Sequence, residues 1–257
     1  MAKLSVVVPC YNQGEYIDET IESVFKQEFK DYEIIIIDDG STDIRTINKL
    51  NSLKDPRLIK VTTSNQGLAL ARNNGIRVAK GEYILPLDAD DKIGNGFLGN
   101  AVDILEHNKH VGIVYCSSET FGDVIGEWHL PKYRIGRMLL TNCIFCSGVF
   151  RKEDWEYVGG YNPCMKKGFE DWEFWLSLLE LGRTVEKISD IGFFYRIKNE
   201  SMLNGMSLSN KIAMRKEIFR LHRRLYFFNM HKVLFELPPF LFDLIRSKNI
   251  VNISWLE

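Results

Sequence analysis

In the first ninety positions, short continuous apolar runs alternate with stretches whose apolar residues recur at helical spacing. The run over 4–8 is rich in β-branched residues and is stopped by Pro9, which leaves room for a buried strand and none for a helix. Over 14–27, Tyr16, Ile17, Ile21, Val24 and Phe25 then fall on one helical face. The unit repeats, with strands predicted over 33–37, 58–61 and 82–87 and helices over 42–53 and 67–79. Continuous apolar strands alternating with helices predict an α/β fold. Its central sheet is mostly parallel, covered by helices on both faces and connected by right-handed crossovers.

The second half is less regular. The pattern predicts a helix over 101–107, a strand over 111–115, a polar and aromatic loop-rich stretch over 120–137 and a strand over 143–150. A helix over 170–181 and a strand over 191–196 follow. From 209 onward the character changes. Lys211, Arg215, Lys216, Arg220, Arg223, Arg224 and Lys232 face only Glu217, and they are interleaved with Leu221, Leu225, Phe227, Phe228, Leu234 and Phe235. Pro238-Pro239 is expected to break this helix before a second apolar segment over 240–245. Such a tail fits three arrangements: packing on the main body, a homodimer contact, or peripheral contact with an anionic membrane through 211–245.

Composition narrows the picture only slightly. The 257 residues with 45% hydrophobic content suffice for a large core. Lys and Arg (33) nearly balance Asp and Glu (34), which gives no reason to expect a nucleic-acid partner. The five cysteines are odd in number and scattered, as suits a reducing compartment. Cys143-x-x-Cys146 has the spacing of half a zinc site, but no second pair completes it, and it reads as apolar packing. No signal-peptide pattern opens the chain, and no apolar run approaches the ~20 residues needed to span a bilayer. The expected location is cytoplasmic, at the inner face of the cell membrane if the tail binds lipid.

The polar residues with chemical potential cluster where the predicted strands end. Strand one leads to Pro9-Cys10-Tyr11-Asn12 and strand two to Asp38-Asp39-Gly40-Ser41-Thr42-Asp43. Strand three leads to Ser64-Asn65-Gln66-Gly67 and strand four to Asp88-Ala89-Asp90-Asp91. In open parallel sheets, ligands bind beyond the carboxyl ends of the strands. Asp39 can accept a uracil imide N–H while Tyr11 offers a ring face, or the two can serve a turn and the core. Arg72 can meet a phosphate or hold the acidic cluster. Three carboxylates within four residues are tolerable as a solvated helix-capping turn or around a cation. The hard cation such ligands imply is Mn²⁺ or Mg²⁺. Neither Gly-x-Gly-x-x-Gly nor Gly-x-x-x-x-Gly-Lys-Ser/Thr follows strand one.

Four clusters in this order and spacing, with Ala71-Arg72-Asn73, resemble the family 2 inverting glycosyltransferases of the GT-A fold. Two later segments extend the resemblance: Glu170-Asp171 opening a helix, and Tyr195-Arg196 followed by Ser201-Met202. The resemblance implies a nucleotide-sugar donor held by Pro9, Tyr11, Asn12, Asp39, Asn65, Gly67, Arg72 and Asp88, with Arg196 and Lys198 beside the diphosphate. It makes Asp90 and Asp88 the metal-binding pair and Asp171, next to Glu170, the catalytic base. Gly148 could leave room for an acceptor sugar or serve close backbone packing, and Trp172 could stack on the acceptor or lie in the core. Two departures stand out. Lys198 replaces a frequent His, which removes one candidate metal ligand, and Gly94-Asn95-Gly96-Phe97 replaces a frequent Pro, where a looser turn is expected.

The implied organisation is a catalytic domain over 1–208, with a nucleotide-sugar half over 1–110 and an acceptor half over 111–208. A helical extension over 209–257 follows. The implied reaction is inverting transfer from a UDP-hexose or UDP-N-acetylhexosamine, with dTDP fitting almost as well, to a glycan or lipid-linked glycan of a bacterial surface polysaccharide such as O-antigen or capsule. The competing readings are a catalytically silent nucleotide-sugar-binding protein and a sugar-1-phosphate nucleotidyltransferase. The latter needs a Gly-rich, Arg-containing loop that Pro9-Cys10-Tyr11-Asn12 does not supply.

Overall fold

The computed structural model describes residues 2–198 and 207–247. Ser201 and Met202 of the expected closing segment, and 248–257 of the extension, lie outside the described residues. The first half alternates as the hydrophobic pattern predicts. It runs β1 (Leu4–Cys10), α1 (Ile17–Phe25), β2 (Tyr32–Asp38), α2 (Ile44–Ser52), β3 (Leu58–Thr62), α3 (Leu68–Val78) and β4 (Tyr83–Pro86). Strands β3, β2, β1 and β4 lie side by side and parallel, with Val6 opposite Ile34 and Leu85. β1 is buried along its whole length, as a strand covered on both faces must be. Gly75 of α3 sits against Val7 and Ile37, where any side chain would collide, and this lets the helix lie close on the sheet.

The second half departs from a parallel sheet. It comprises β5 (Lys92–Ile93), α4 (Phe97–His107), β6 (Val111–Gly122), β7 (Gly126–Glu127), α5 (Ile135–Leu140), β8 (Val149–Arg151), α6 (Lys152–Val158), α7 (Glu170–Glu180) and β9 (Thr184–Ile197). The sheet continues in the order β4-β8-β6-β9-β5. β8 is antiparallel to both β4 and β6, β9 is parallel to β6, and β5 is antiparallel to β9. β7 pairs with β6 off the main path, so part of the expected loop over 120–137 is a hairpin and part is a helix. The predicted strand over 143–150 shrinks to Val149–Arg151, because the Asn142 side chain accepts from the Ile144 N–H at 3.2 Å and starts a turn instead. The turn at Gly94 is also tight rather than loose. Gly94 donates to Gly192 O at 2.9 Å and its own carbonyl accepts from Gln27 Nε2 at 2.8 Å.

Among the described residues three helices follow: α8 (Leu208–Leu221), α9 (Arg223–Phe228) and α10 (Met230–Ser247). Pro238-Pro239 does not break α10, contrary to expectation. The helix is pinned on both sides of the prolines by ion pairs to α5: Glu236 with Arg134 and Arg137, and Asp243 with Arg137. Both prolines are exposed, so the carbonyls that lose their usual donors can turn to water.

His222, at the junction of α8 and α9, is 2% exposed. Its ring nitrogens lie 3.4 Å from Glu173 and 3.3 Å from Glu180 of α7. Burial opposes its charge, but the two carboxylates outweigh burial and raise its pKa above the ordinary 6.5. A pKa raised by folding adds stability that is fully present below 6.5 and is lost as pH climbs through the raised value. We therefore expect the wild-type melting temperature to fall from pH 6 toward alkaline pH more steeply than that of His222→Asn. Parallel slopes in calorimetry would remove this role.

A candidate active site at the strand ends

The β1 and β2 ends are stitched together by one side chain. Asn12 adopts φ 55°, a left-handed conformation that asparagine tolerates better than most residues. Its Oδ1 accepts the N–H groups of Thr42 (2.8 Å) and Asp43 (2.9 Å), and its backbone N–H donates to Ser41 Oγ (3.1 Å). Asp43 in turn caps α2 by accepting from the Thr46 N–H at 2.9 Å. Tyr11, beside Asn12, is 45% exposed. Pro9 is buried within β1.

Asp39 is buried and closes the loop before α3. Its carboxylate accepts from Thr63 Oγ1 (2.9 Å), Gln66 N–H (3.1 Å) and Gly67 N–H (2.9 Å). Gly67, the residue before α3, has φ 89° and ψ 163°, a conformation nearly reserved for glycine. Asn65 is exposed, and its backbone N–H abuts Gly40, itself at φ 73°. Both Asp39 oxygens are thus spent on the loop, so the carboxylate shapes this wall of the crevice and is not free to accept a uracil imide N–H as expected.

The acidic cluster and the distant acidic pair meet through Arg72. This guanidinium is 1% exposed, and it donates from Nη2 to Asp88 Oδ1 at 2.7 Å and from Nη1 to Glu170 Oε1 at 2.6 Å. A buried charge is tolerable only when paired and hydrogen-bonded, and here two carboxylates share it. Of the two roles the sequence leaves open for Arg72, holding the acidic cluster is the one its bonds serve.

Asp171 follows Glu170 and is half-buried. Burial first, then the neighbouring Glu170 charge, push its carboxyl up to about 7 against the pull of Arg72. Asn142 Nδ2 donates to its Oδ2 at 3.0 Å and fixes its orientation. Spacing gives no hint of Asn142, because its role depends on the turn that replaces the expected strand.

The loop after β4 gathers three carboxylates. Asp90 pairs with the Lys198 ammonium at 2.5 Å and accepts from Gln13 Nε2 at 3.1 Å. Asp91 is buried and accepts the Arg196 N–H at 2.9 Å, while its Oδ2 is buried without a hydrogen-bond partner. Arg196 also reaches Asp90 O (2.9 Å) and Glu19 (2.9 Å), so it braces the loop from behind. The potential ligand atoms of Asp88, Asp91 and Cys146 lie within 4.8 Å of one another. Cys146 Sγ is 3.5 Å from Asp88 Oδ2, so this cysteine belongs to the site and not to the apolar packing expected for an uncompleted Cys-x-x-Cys pair. Burial raises its thiol pKa, and a protonated thiol is a poor ligand for a hard cation. The carboxylates of Asp88 and Asp91, with the buried Asp91 Oδ2 unpaired, fit Mn²⁺ or Mg²⁺, while Asp90 of the expected metal pair is not part of this group and is engaged by Lys198.

Neither residue expected to meet the acceptor faces the crevice. Trp172 is 2% exposed and its indole N–H donates to Met138 O at 2.8 Å, so it is core. Gly148 is buried against the Trp175 ring, where an added Cβ would lie 3.2 Å away. Its small size serves that packing.

The chain and its fold have clear relatives. A family model described as Glycosyl transferase family 2 matches residues 5–154. An Escherichia coli UDP-Glc:α-D-GlcNAc-diphosphoundecaprenol β-1,3-glucosyltransferase, WfaP, is 32% identical over 204 residues, covering 77% of this chain and 78% of its own. The Staphylococcus aureus poly(ribitol-phosphate) β-N-acetylglucosaminyltransferase TarS is 27% identical over 78% of this chain, which spans only 36% of TarS. Among solved structures, TarS 1–349 in complex with UDP-GlcNAc superposes with a TM-score of 0.68 at 20% identity, covering 88% of this chain and 72% of that one. The Pyrobaculum calidifontis mannosyltransferase PcManGT, in complex with GDP-Man and Mn²⁺, gives 0.62 at 18% identity over 98% and 76% of the two chains. The architecture is the α/β arrangement of these glycosyltransferases, and the chain belongs to glycosyl transferase family 2.

Proposed function

We propose that this glycosyltransferase moves a sugar, with inversion, from a UDP-sugar to a hydroxyl of a glycan or lipid-linked glycan, in the cytoplasmic synthesis of a bacterial surface polysaccharide. The observation that carries the reading is the link from Asp88 through Arg72 to Glu170, which sets the half-buried Asp171 beside the acidic cluster. WfaP, named for a UDP-Glc donor and a diphosphoundecaprenol-linked acceptor, and TarS, solved with UDP-GlcNAc, support a UDP-sugar and a surface-glycan acceptor. Tyr11 suits the base, and the loop that Asp39 organises suits the nucleoside.

In this reading Asp171 accepts the acceptor hydroxyl's proton as the oxygen attacks the anomeric carbon from the face opposite the nucleotide. A carboxyl held near 7 is matched to proton transfer at neutral pH, and positioned transfer of this kind contributes ~10²–10⁴ in rate. Asn142 keeps the carboxylate aimed. Mn²⁺ or Mg²⁺, held by Asp90 and Asp88, would supply positive charge to the departing diphosphate. Lys198 stands beside Asp90 and adds a fixed cation at that end of the site. A silent binding protein has no need of a base at such a pKa, so catalysis is the better reading.

Asp171→Asn is expected to abolish transfer while leaving UDP binding within about twofold, and wild-type turnover by this variant would sink the base assignment. For the wild type, kcat/KM should climb about tenfold per pH unit below 7 and level off above it, as Asp171 loses its proton. A profile flat from pH 5.5 to 8 contradicts that. Chelation with EDTA should suppress transfer and weaken UDP binding in calorimetry, with Mn²⁺ restoring both; undiminished UDP affinity in EDTA would remove the metal from the donor site. Arg72→Lys keeps the charge but cannot span both carboxylates, so transfer should fall at least about a hundredfold. A thermal melt should confirm that this variant stays folded.

A further inference from the structure

Helix α10 is apolar on two faces. Val233 and Phe240, flanked by the ion-paired Glu236 and Asp243, form the face that meets α5. Met230, Leu234, Leu237 and Leu241 follow at i, i+4, i+7 and i+11 on the other face, with Phe235 and Phe242 beside them, and all six are exposed. Phe235 is 74% exposed, as is Phe227 of α9 at 73%. A helix that is apolar all round needs cover on both faces, and only one is covered here. An exposed apolar ridge of this extent marks a contact surface.

The charges that α8, α9 and α10 expose indicate what covers it. Lys216, Arg223, Arg224 and Lys232 are exposed. The acids of the same helices are engaged elsewhere: Glu217 with Arg220, and Glu236 and Asp243 with the arginines of α5. Aromatic and aliphatic side chains accompanied by unopposed basic groups complement an anionic phospholipid surface, where rings enter the interface and cations meet headgroup phosphates. A second copy of the chain would bring like charges together at the same patch. Among the described residues no helix is long and apolar enough to cross a membrane, so the contact is one of lying on the surface.

We propose that α9 and α10 form a docking surface for an anionic phospholipid bilayer, and that this surface is mechanically joined to the acceptor side of the site. The second clause rests on the glycosyltransferase reading above; the first does not. The joint is visible in α5, where Leu140 O accepts from Arg215 (2.8 Å) and Leu139 O accepts from the Tyr226 hydroxyl (2.7 Å). Two residues beyond α5, Asn142 bonds Asp171. An acceptor carried on lipid would then reach the base from the surface that the docking helices rest on.

The test is co-sedimentation of the full chain with phosphatidylcholine vesicles with and without phosphatidylglycerol. The wild type should sediment with the anionic vesicles, and less so as salt is raised. The triple variant Phe227→Ser, Phe235→Ser, Phe242→Ser should lose at least about tenfold in partitioning, while its circular dichroism and its transfer to a water-soluble acceptor analogue stay unchanged. Equal partitioning of variant and wild type overturns the docking surface. So does a wild-type dimer in sedimentation velocity that fails to bind vesicles and that the variant dissociates. If the wild type binds anionic vesicles but transfers no sugar to any acceptor, the docking surface stands and the catalytic reading falls.

Discussion

Much of this molecule depends on where Arg72 puts its charge. Taking a guanidinium out of water carries a desolvation cost of several kcal/mol, recovered only if carboxylates meet it at good geometry. The two that do so come from different parts of the chain, Asp88 from the end of β4 and Glu170 from the first turn of α7. Satisfying one buried cation therefore fixes the distance between the first half of the sheet and the helix that carries Asp171. Asn73, the next residue on α3, repeats the strategy with neutral groups. Its side chain bonds Tyr161 O, Tyr161 N–H and the Trp155 indole, and so holds the approach to α7 in place. Both residues lie on α3, which packs on β1 and β2. A single helix thus transmits the position of the strand ends to a segment about a hundred residues later.

The first half was legible in the sequence because its physics is local. A strand buried on both faces must be apolar throughout, its helices must show one apolar stripe, and the turns between must hold the residues that cap and bend. The second half was less legible because its strands have mixed surroundings. β9 is mostly exposed or half-exposed along its fourteen residues, so only its last third carries a strand-like apolar pattern. β6 extends seven residues past the predicted 115 because its outer part is covered by β7 and β9 and not by a continuous core.

The site shows the same division. Asp39, Arg72, the Asp88 cluster and Asp171 stand out as charges at strand ends or a helix start. Asn142, Gln13 and Cys146 do not, because an uncharged side chain becomes part of such a site only through contacts that the fold creates. Trp172 shows the opposite error. A tryptophan beside an acidic pair expected to act in catalysis suggests sugar stacking, yet its position on the inward face of α7 and its bond to Met138 O assign it to the core.

The ion pair between Asp90 and Lys198 has a thermodynamic consequence. A divalent cation that takes Asp90 does so in competition with an ammonium belonging to the chain, so its measured affinity is a difference between two pairings and not the strength of one. A lysine displaced in that exchange would be left as a counter-ion for an anion arriving with the metal. Any help the cation gave to a diphosphate through this exchange would be returned by an equal factor, as linkage requires, even if no atom of one contacted the other's ligands. A His at this position could share a metal with Asp90, whereas the Lys198 ammonium can only be displaced by one and left to face an anion.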